Sequence, residues 1–290
     1  MTRAQDRLPR PLSLGPLVIH AAQAMAIATI GAFAVLALLQ VRDGWWMQDA
    51  DAYWHAALRL REGASLYPAL TSQDASDVYR YAPWFAAAWV PLTFAPQSLA
   101  YVAWGGVLFA AAGSCIWQML RIGGMASGLV AVLTAALLLP AAASGNVQPL
   151  LLATLLFGLE RRSGPLWIAL AASLKAAPIL LAAVYLGRRE WTRAMLALGL
   201  TAMLTLPMLL FDLSHYPTDT AAAIGPLPFW LLLAAAACAT AASFALARTR
   251  YAWLAAAAAV LLAIPRWSYY QPSFVILGTR GMGTESRGGR

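Results

Sequence analysis

The sequence predicts an all-α protein, a polytopic bundle of transmembrane helices, and three observations lead there. The chain is 61% hydrophobic and only 11% charged over 290 residues, too apolar for a soluble domain of that size. Apolar runs approaching the ~20 residues needed to cross a bilayer recur along its whole length. Arginines gather at the ends of those runs, where they read as topology markers, so the net charge of +8 does not suggest nucleic acid; membrane lipids are expected partners of such a bundle. About 8–10 membrane segments are expected, in a single integral-membrane domain over residues 1–279 with a polar tail at 280–290.

The first apolar run, 16–41, is long for a signal-peptide core and carries no A-x-A cleavage pattern, so it is expected to be retained. Arg3, Arg7 and Arg10 precede it and place the N-terminus in the cytoplasm. Heavy Ala and Arg usage with a single Lys fits a GC-rich bacterial genome, hence a bacterial inner membrane. The first outer loop, 42–80, follows. Its centre, 49–62, has helical spacing with Tyr53, Ala57 and Leu60 on one face and Gly63 as a C-cap, the pattern of an amphipathic helix lying on the outer surface. The segment 81–97 is short and is punctuated by Pro83, Pro91 and Pro96. Apolar runs at 98–120, 122–143, 149–159, 164–187, 194–211, 226–247 and 251–264 complete the bundle. Cys115 and Cys238 lie inside such runs and read as small core residues, not as a disulfide or a metal site.

Simple alternation of spans conflicts with the charges. Arg161 and Arg162 precede the run 164–187, and Arg188, Arg189 and Arg193 follow it, yet both clusters favour the cytoplasm. The conflict disappears if the run goes in and comes back, broken near Lys175 and Pro178. Its 24 residues reach only about 36 Å as a helix, half a membrane each way. A second re-entrant piece at 81–97 then brings "SGNVQ" (144–148), 211–225 and "PRWSYYQP" (265–272) to the same face as the first loop. The alternative is an ordinary span with a snorkelling lysine.

That face holds the residues suited to chemistry. Asp49 and Asp51 can supply a general base for a hydroxyl nucleophile, oxygen ligands for a divalent cation, or merely a solvated acidic loop. Lys175 is the chain's only lysine, with no other charge between Arg162 and Arg188. An ionisable group at membrane depth costs roughly 2.5–3.5 kcal/mol on insertion scales, so it faces a cavity or a partner. It can serve as the cation for a phosphate leaving group or lipid head, or simply pair or snorkel. Arg80 and Arg266 are further cations able to grip phosphate oxygens. Tyr53, Tyr79, Tyr81, Trp267, Tyr269 and Tyr270 form either an interfacial belt or a platform for a sugar or lipid head. The chain contains no Walker motif, G-x-S-x-G, H-E-x-x-H or CxxC.

The order of these pieces carries a resemblance. "DADAYWHAALRLREGASLY" (49–67) is followed by "YRYAP" (79–83), then "SGNVQP" (144–149), then "SLKAAP" (173–178) and "GRREW" (187–191), and finally an aromatic patch. Over about residues 40–280 the chain resembles glycosyltransferase family 87, integral-membrane enzymes of GT-C fold that use polyprenyl-phosphate sugars, typically mannose, and invert on the outer face. The family's acidic residue, four before a tyrosine and fourteen before a glycine, matches Asp49 with Tyr53 and Gly63. The resemblance therefore implies Asp49 as general base, with Asp51 as the second choice and neither metal nor other cofactor. It matches the tyrosine–proline signature to Tyr79, Tyr81 and Pro83, and K-x-x-P to Lys175 and Pro178. The family turn G-Q-x-N appears here with the amides exchanged, as Gly145, Asn146, Val147 and Gln148. A histidine frequent after the late tryptophan is replaced by Ser268. The implied donor phosphate ligands are Lys175, Arg80 and Arg266. The implied substrate contacts are Tyr53, Tyr79, Tyr81, Asn146, Gln148, Trp267, Tyr269 and Tyr270, and the acceptor is lipid-linked or a glycan. The competing readings are a non-catalytic lipid or anion transporter and an inactive short relative that assists another transferase.

Overall fold

The apolar runs become helices, and the breaks fall where proline, glycine or charge requires them. The computed structural model describes residues 21, 24–25, 27–36, 39, 46–69, 78–122, 125–216, 229–264 and 268–281. Among these every regular element is helical. The α-helices are α1 (Ile27–Leu36), α2 (Gln48–Arg61), α3 (Pro83–Trp89), α4 (Gln97–Ile122), α5 (Met125–Ala143) and α6 (Gln148–Gly158). They continue as α7 (Gly164–Leu174), α8 (Ala182–Gly187), α9 (Trp191–Thr205), α10 (Phe229–Ala245) and α11 (Ala252–Ala263). Two helical stretches, Gln97–Ile122 and Trp191–Leu210, are long and apolar enough to cross a membrane; the other apolar helices have 10–17 residues.

The helix after the first run is where expected, but its setting differs. Gly63, at φ 69°, donates to Leu60 O, and Ala64 donates to Arg59 O, the paired bonds of a glycine-terminated helix. However, α2 does not lie on a surface. Ala50, Ala52, Tyr53, Trp54, Ala56 and Ala57 are all buried, which covers most of its circumference. The alanines let neighbouring backbones approach, and a narrow strip through Asp51 and His55 stays half-buried. The segment 81–97 splits as its prolines dictate. Pro83 opens α3, Val90–Phe94 forms a 3₁₀ turn with Pro91 at its start, and Pro96 precedes α4. Arg61, at the end of α2, donates to Thr93 O at 2.9 Å and fixes that turn.

The run 164–187 is broken at Lys175. Helix α7 ends at Leu174, Lys175 leaves helical geometry at φ −141° and ψ 72°, and a 3₁₀ turn over Ala177–Leu181 leads into α8. The two ends of the run meet. Arg188 grips Glu160 with both terminal nitrogens, at 2.8 and 3.2 Å. Arg193 donates to Leu159 O at 2.8 Å and Arg161 O at 2.7 Å, and Tyr185 donates to Leu159 O at 2.6 Å. Partial burial alone would raise the Glu160 carboxyl, but bonds from Arg188 and Trp253 outweigh it and hold the pKa below the usual carboxylate value. Helices α6 and α7 have 11 residues each, about 16 Å. They therefore put Gln148 and Lys175 together at the end opposite this clasp.

One further point differs from expectation. Cys238 is exposed on α10, whereas Cys115 is buried as anticipated. After the late aromatic patch the chain continues as a 3₁₀ helix, Gln271–Gly281, which buries Phe274 and Leu277 against the bundle.

Candidate active site

The site begins where one helix ends on another. The first backbone N–H groups of a helix and the last carbonyls have no partners within it. Here they satisfy each other, as Met47 N–H donates to Ala143 O at 2.9 Å and Asp49 N–H to Ser144 O at 2.8 Å. This docks the start of α2 on the turn after α5. Gly145 makes the approach possible. Its φ is 81°, and a Cβ there would stand 2.8 Å from Ala50 Cβ and 2.9 Å from Ala50 N. Gly145→Ala is accordingly expected to cost about 1–2 kcal/mol in backbone strain alone, plus the clash. The check is a lowered unfolding midpoint of the purified protein.

The docked turn places Asn146, which is 2% exposed, between two charges. Its Nδ2 donates to Asp49 Oδ2 at 3.0 Å and to the Tyr270 hydroxyl at 3.0 Å. Its Oδ1 accepts from Gln148 N–H at 2.9 Å, closing an Asx turn at the start of α6, and from Lys175 Nζ at 3.4 Å. Gln148 Oε1 accepts from Lys175 Nζ at 2.9 Å, while its Nε2 donates to Ser273 Oγ at 3.3 Å. The Lys175 ammonium lies 4.6 Å from the centre of the Tyr270 ring. Lys175 is also the C-cap residue of α7, its backbone N–H donating to Ala171 O at 2.9 Å. The Ser144 hydroxyl stands 3.1 Å from Asp49 Oδ2 and 3.0 Å from Ala141 O, with one proton to share between them.

Two valences stay open. Among the described residues Asp49 Oδ1 has no partner. The ammonium has three donors, and the amide oxygens of Asn146 and Gln148 take two. No ion pair joins Asp49 to Lys175; Asn146 separates them. The arrangement offers a proton acceptor and a hydrogen-bonding cation on either side of one buried amide. Each is held by neutral groups that do not quench its charge.

The other expected residues are placed as follows. Asp51 faces away from this cluster and accepts from the Tyr101 hydroxyl at 2.6 Å. Tyr53 and Tyr79, expected to touch substrate, are 1% and 2% exposed and belong to the core. Tyr53 packs among Tyr81, Phe85, Trp89 and Trp104, and the Tyr79 hydroxyl is spent on Ala82 O. Gln148 is fully buried, and its Oε1 holds the Lys175 ammonium. Tyr81, half-buried, accepts from Tyr53 at 3.2 Å. Arg80 lies beside Tyr216, whose hydroxyl donates to the Arg80 carbonyl at 2.9 Å. Tyr269 is exposed and meets Tyr270 edge-on at 5.2 Å. Arg266 and Trp267 lie outside the described residues. Sequence reasoning did not single out Ser144, Ser273 or Tyr101; only Ser144 carried a signal, its place in the Gly–amide turn.

No family model, curated protein or solved structure matches the chain.

Proposed function

We propose that this chain is an integral-membrane glycosyltransferase of the family 87 kind. In this reading it moves a sugar, mannose, from a polyprenyl-phosphate donor to an acceptor hydroxyl, with inversion, on the extracytoplasmic face of a bacterial inner membrane. One observation carries the reading: a carboxylate with an open oxygen and an ammonium with an open donor flank a single amide, Asn146. Asp49 Oδ1 takes the proton of the acceptor hydroxyl as its oxygen attacks the anomeric carbon. The bond from that carbon to the phosphate oxygen breaks, and its electron pair leaves with the lipid phosphate. The leaving group turns from a monoanionic diester into a dianionic monoester, and Lys175 meets the added charge. A transporter of anionic lipids has use for the lysine but none for a carboxylate beside it.

The membrane setting rests on the apolar surface. Large side chains such as Leu209, Leu210, Met203, Val102, Trp117 and Trp230 are exposed on α4, α10 and the α9 segment, the kind of apolar surface that lipid covers. The test is a donor assay on the purified full chain in lipid nanodiscs. Radiolabelled polyprenyl-phosphate mannose should lose its label to an acceptor in bacterial lipid extract. Donor that binds and keeps its sugar throughout would favour the transporter instead.

A further inference from the structure

Asp51 belongs to a second polar group with a chemistry of its own. Helix positions advance by about 100°, so Asp51 points some 200° away from Asp49, toward α4. Its Oδ1 accepts from the Tyr101 hydroxyl at 2.6 Å and from Gln97 Nε2 at 3.1 Å, and its Oδ2 lies 3.3 Å from His55 Nδ1. Gln97 Nε2 also reaches the Tyr101 hydroxyl at 2.6 Å. The group is open to the outside: the Asp51 and His55 side chains are 30% and 44% exposed, and Gln97 is exposed. Trp54 meets the Tyr101 ring edge-on at 6.3 Å and gives it an apolar flank.

We infer that Asp51, His55, Gln97 and Tyr101 form a binding subsite for a neutral sugar, the head of the acceptor; this rests on the transferase reading above. Among the described residues Gln97 Oε1 and His55 Nε2 have no partner, and a carboxylate has about four lone-pair positions, of which two accept hydrogen bonds here while a third faces His55 Nδ1, which also lies 3.0 Å from the Asp51 carbonyl oxygen. The open valences are chiefly acceptors. They suit the O–H donors of a sugar diol, and the Asp51 charge repels a phosphate. A bound cation fits poorly, since the described residues contain no group of three His, Cys, Asp or Glu side chains that could hold one. The same turn of α4 leaves Leu99 and Val102 exposed, a surface for the acyl chains of a sugar-headed lipid. Asp49 and Asp51 both lie in the first turn of α2. A head of two sugar rings, about as long as a helix is wide, has the length to meet the anchor with one ring and the base with the other.

The probe is methyl α-mannobioside, a soluble two-ring sugar, titrated into the full chain in nanodiscs and followed by saturation-transfer NMR. Wild type should bind it. Asp51→Asn and Gln97→Ala should each weaken binding about tenfold, the loss of a hydrogen bond made to or beside a charged group. Gln97 is exposed, so its variant keeps the test valid if Asp51→Asn folds poorly. In the transfer assay both variants should raise the acceptor KM by the same factor and leave the donor KM unmoved. No binding by wild type, or unchanged binding in both variants, overturns the subsite. Sugar binding without label transfer upholds the subsite and removes the transferase reading. Transfer with an unchanged acceptor KM in both variants does the reverse.

Discussion

Asp49→Asn should lower the rate of sugar transfer by about 10²–10⁴-fold, the usual worth of a positioned general base. The substitution keeps the side chain's shape. The new amide oxygen can still accept from Ser144 and Asn146, which hold Oδ2 at 3.1 and 3.0 Å. Folding and membrane insertion should therefore be preserved, and the loss should fall on kcat with little change in donor KM. What disappears is the basic lone pair at Oδ1, the Asp49 oxygen left open among the described residues. Single-turnover transfer with donor pre-bound separates this from a binding defect. Full activity in a correctly inserted variant would remove Asp49 from the chemistry.

The second large effect is expected at Lys175. Lys175→Met keeps the length and apolar stem and deletes the charge. The loss should be about 10²–10³-fold in kcat, as for other deleted donors to a developing anion. Some instability should accompany it, because Asn146 Oδ1 and Gln148 Oε1 lose a donor in a buried setting. The two causes are separable by leaving group. A donor whose sugar is carried on a lipid diphosphate leaves more easily, so it should lose less rate in the variant. A general folding defect would depress both donors equally. Lys175→Arg should not restore activity. A planar fork does not fit between two amide oxygens that converge on a point charge.

Much of this arrangement was legible because it is carried by residues that are costly or sterically special. Two arginine clusters flanking one apolar run implied a return path, and the Glu160–Arg188 clasp brings the two ends of that run together. A lone lysine in apolar surroundings implied a cavity or a partner, and Asn146 and Gln148 are its partners. The exchanged order of the amides also has a physical sense. Short Asn146 closes the turn onto Gln148 N–H, whereas the longer Gln148 reaches across to Lys175. What could not be read is the pairing between distant segments. Nothing in the spacing of Tyr53, Ala57 and Leu60 distinguishes a helix lying on a surface from one enclosed by its neighbours; the alanines at 50, 52 and 56 decide that by letting backbones close in. Tyr101 and Ser273 reach their partners from 50 and 125 residues away, with no local motif to mark them. The 3₁₀ helix Gln271–Gly281 begins on Gln-Pro and contains Gly278, signals that argue for a loop; burial of Phe274 and Leu277 overrides them.

In the proposed transferase Asp49 acts as a base on the acceptor and never bonds to the sugar. The anomeric configuration of the new linkage tests it most directly, read by NMR on product made from anomerically pure polyprenyl-phosphate mannose. A single displacement with Asp49 as base predicts the configuration opposite to the donor's. Retention of the donor's configuration would require a covalent sugar–carboxylate intermediate and would contradict the account.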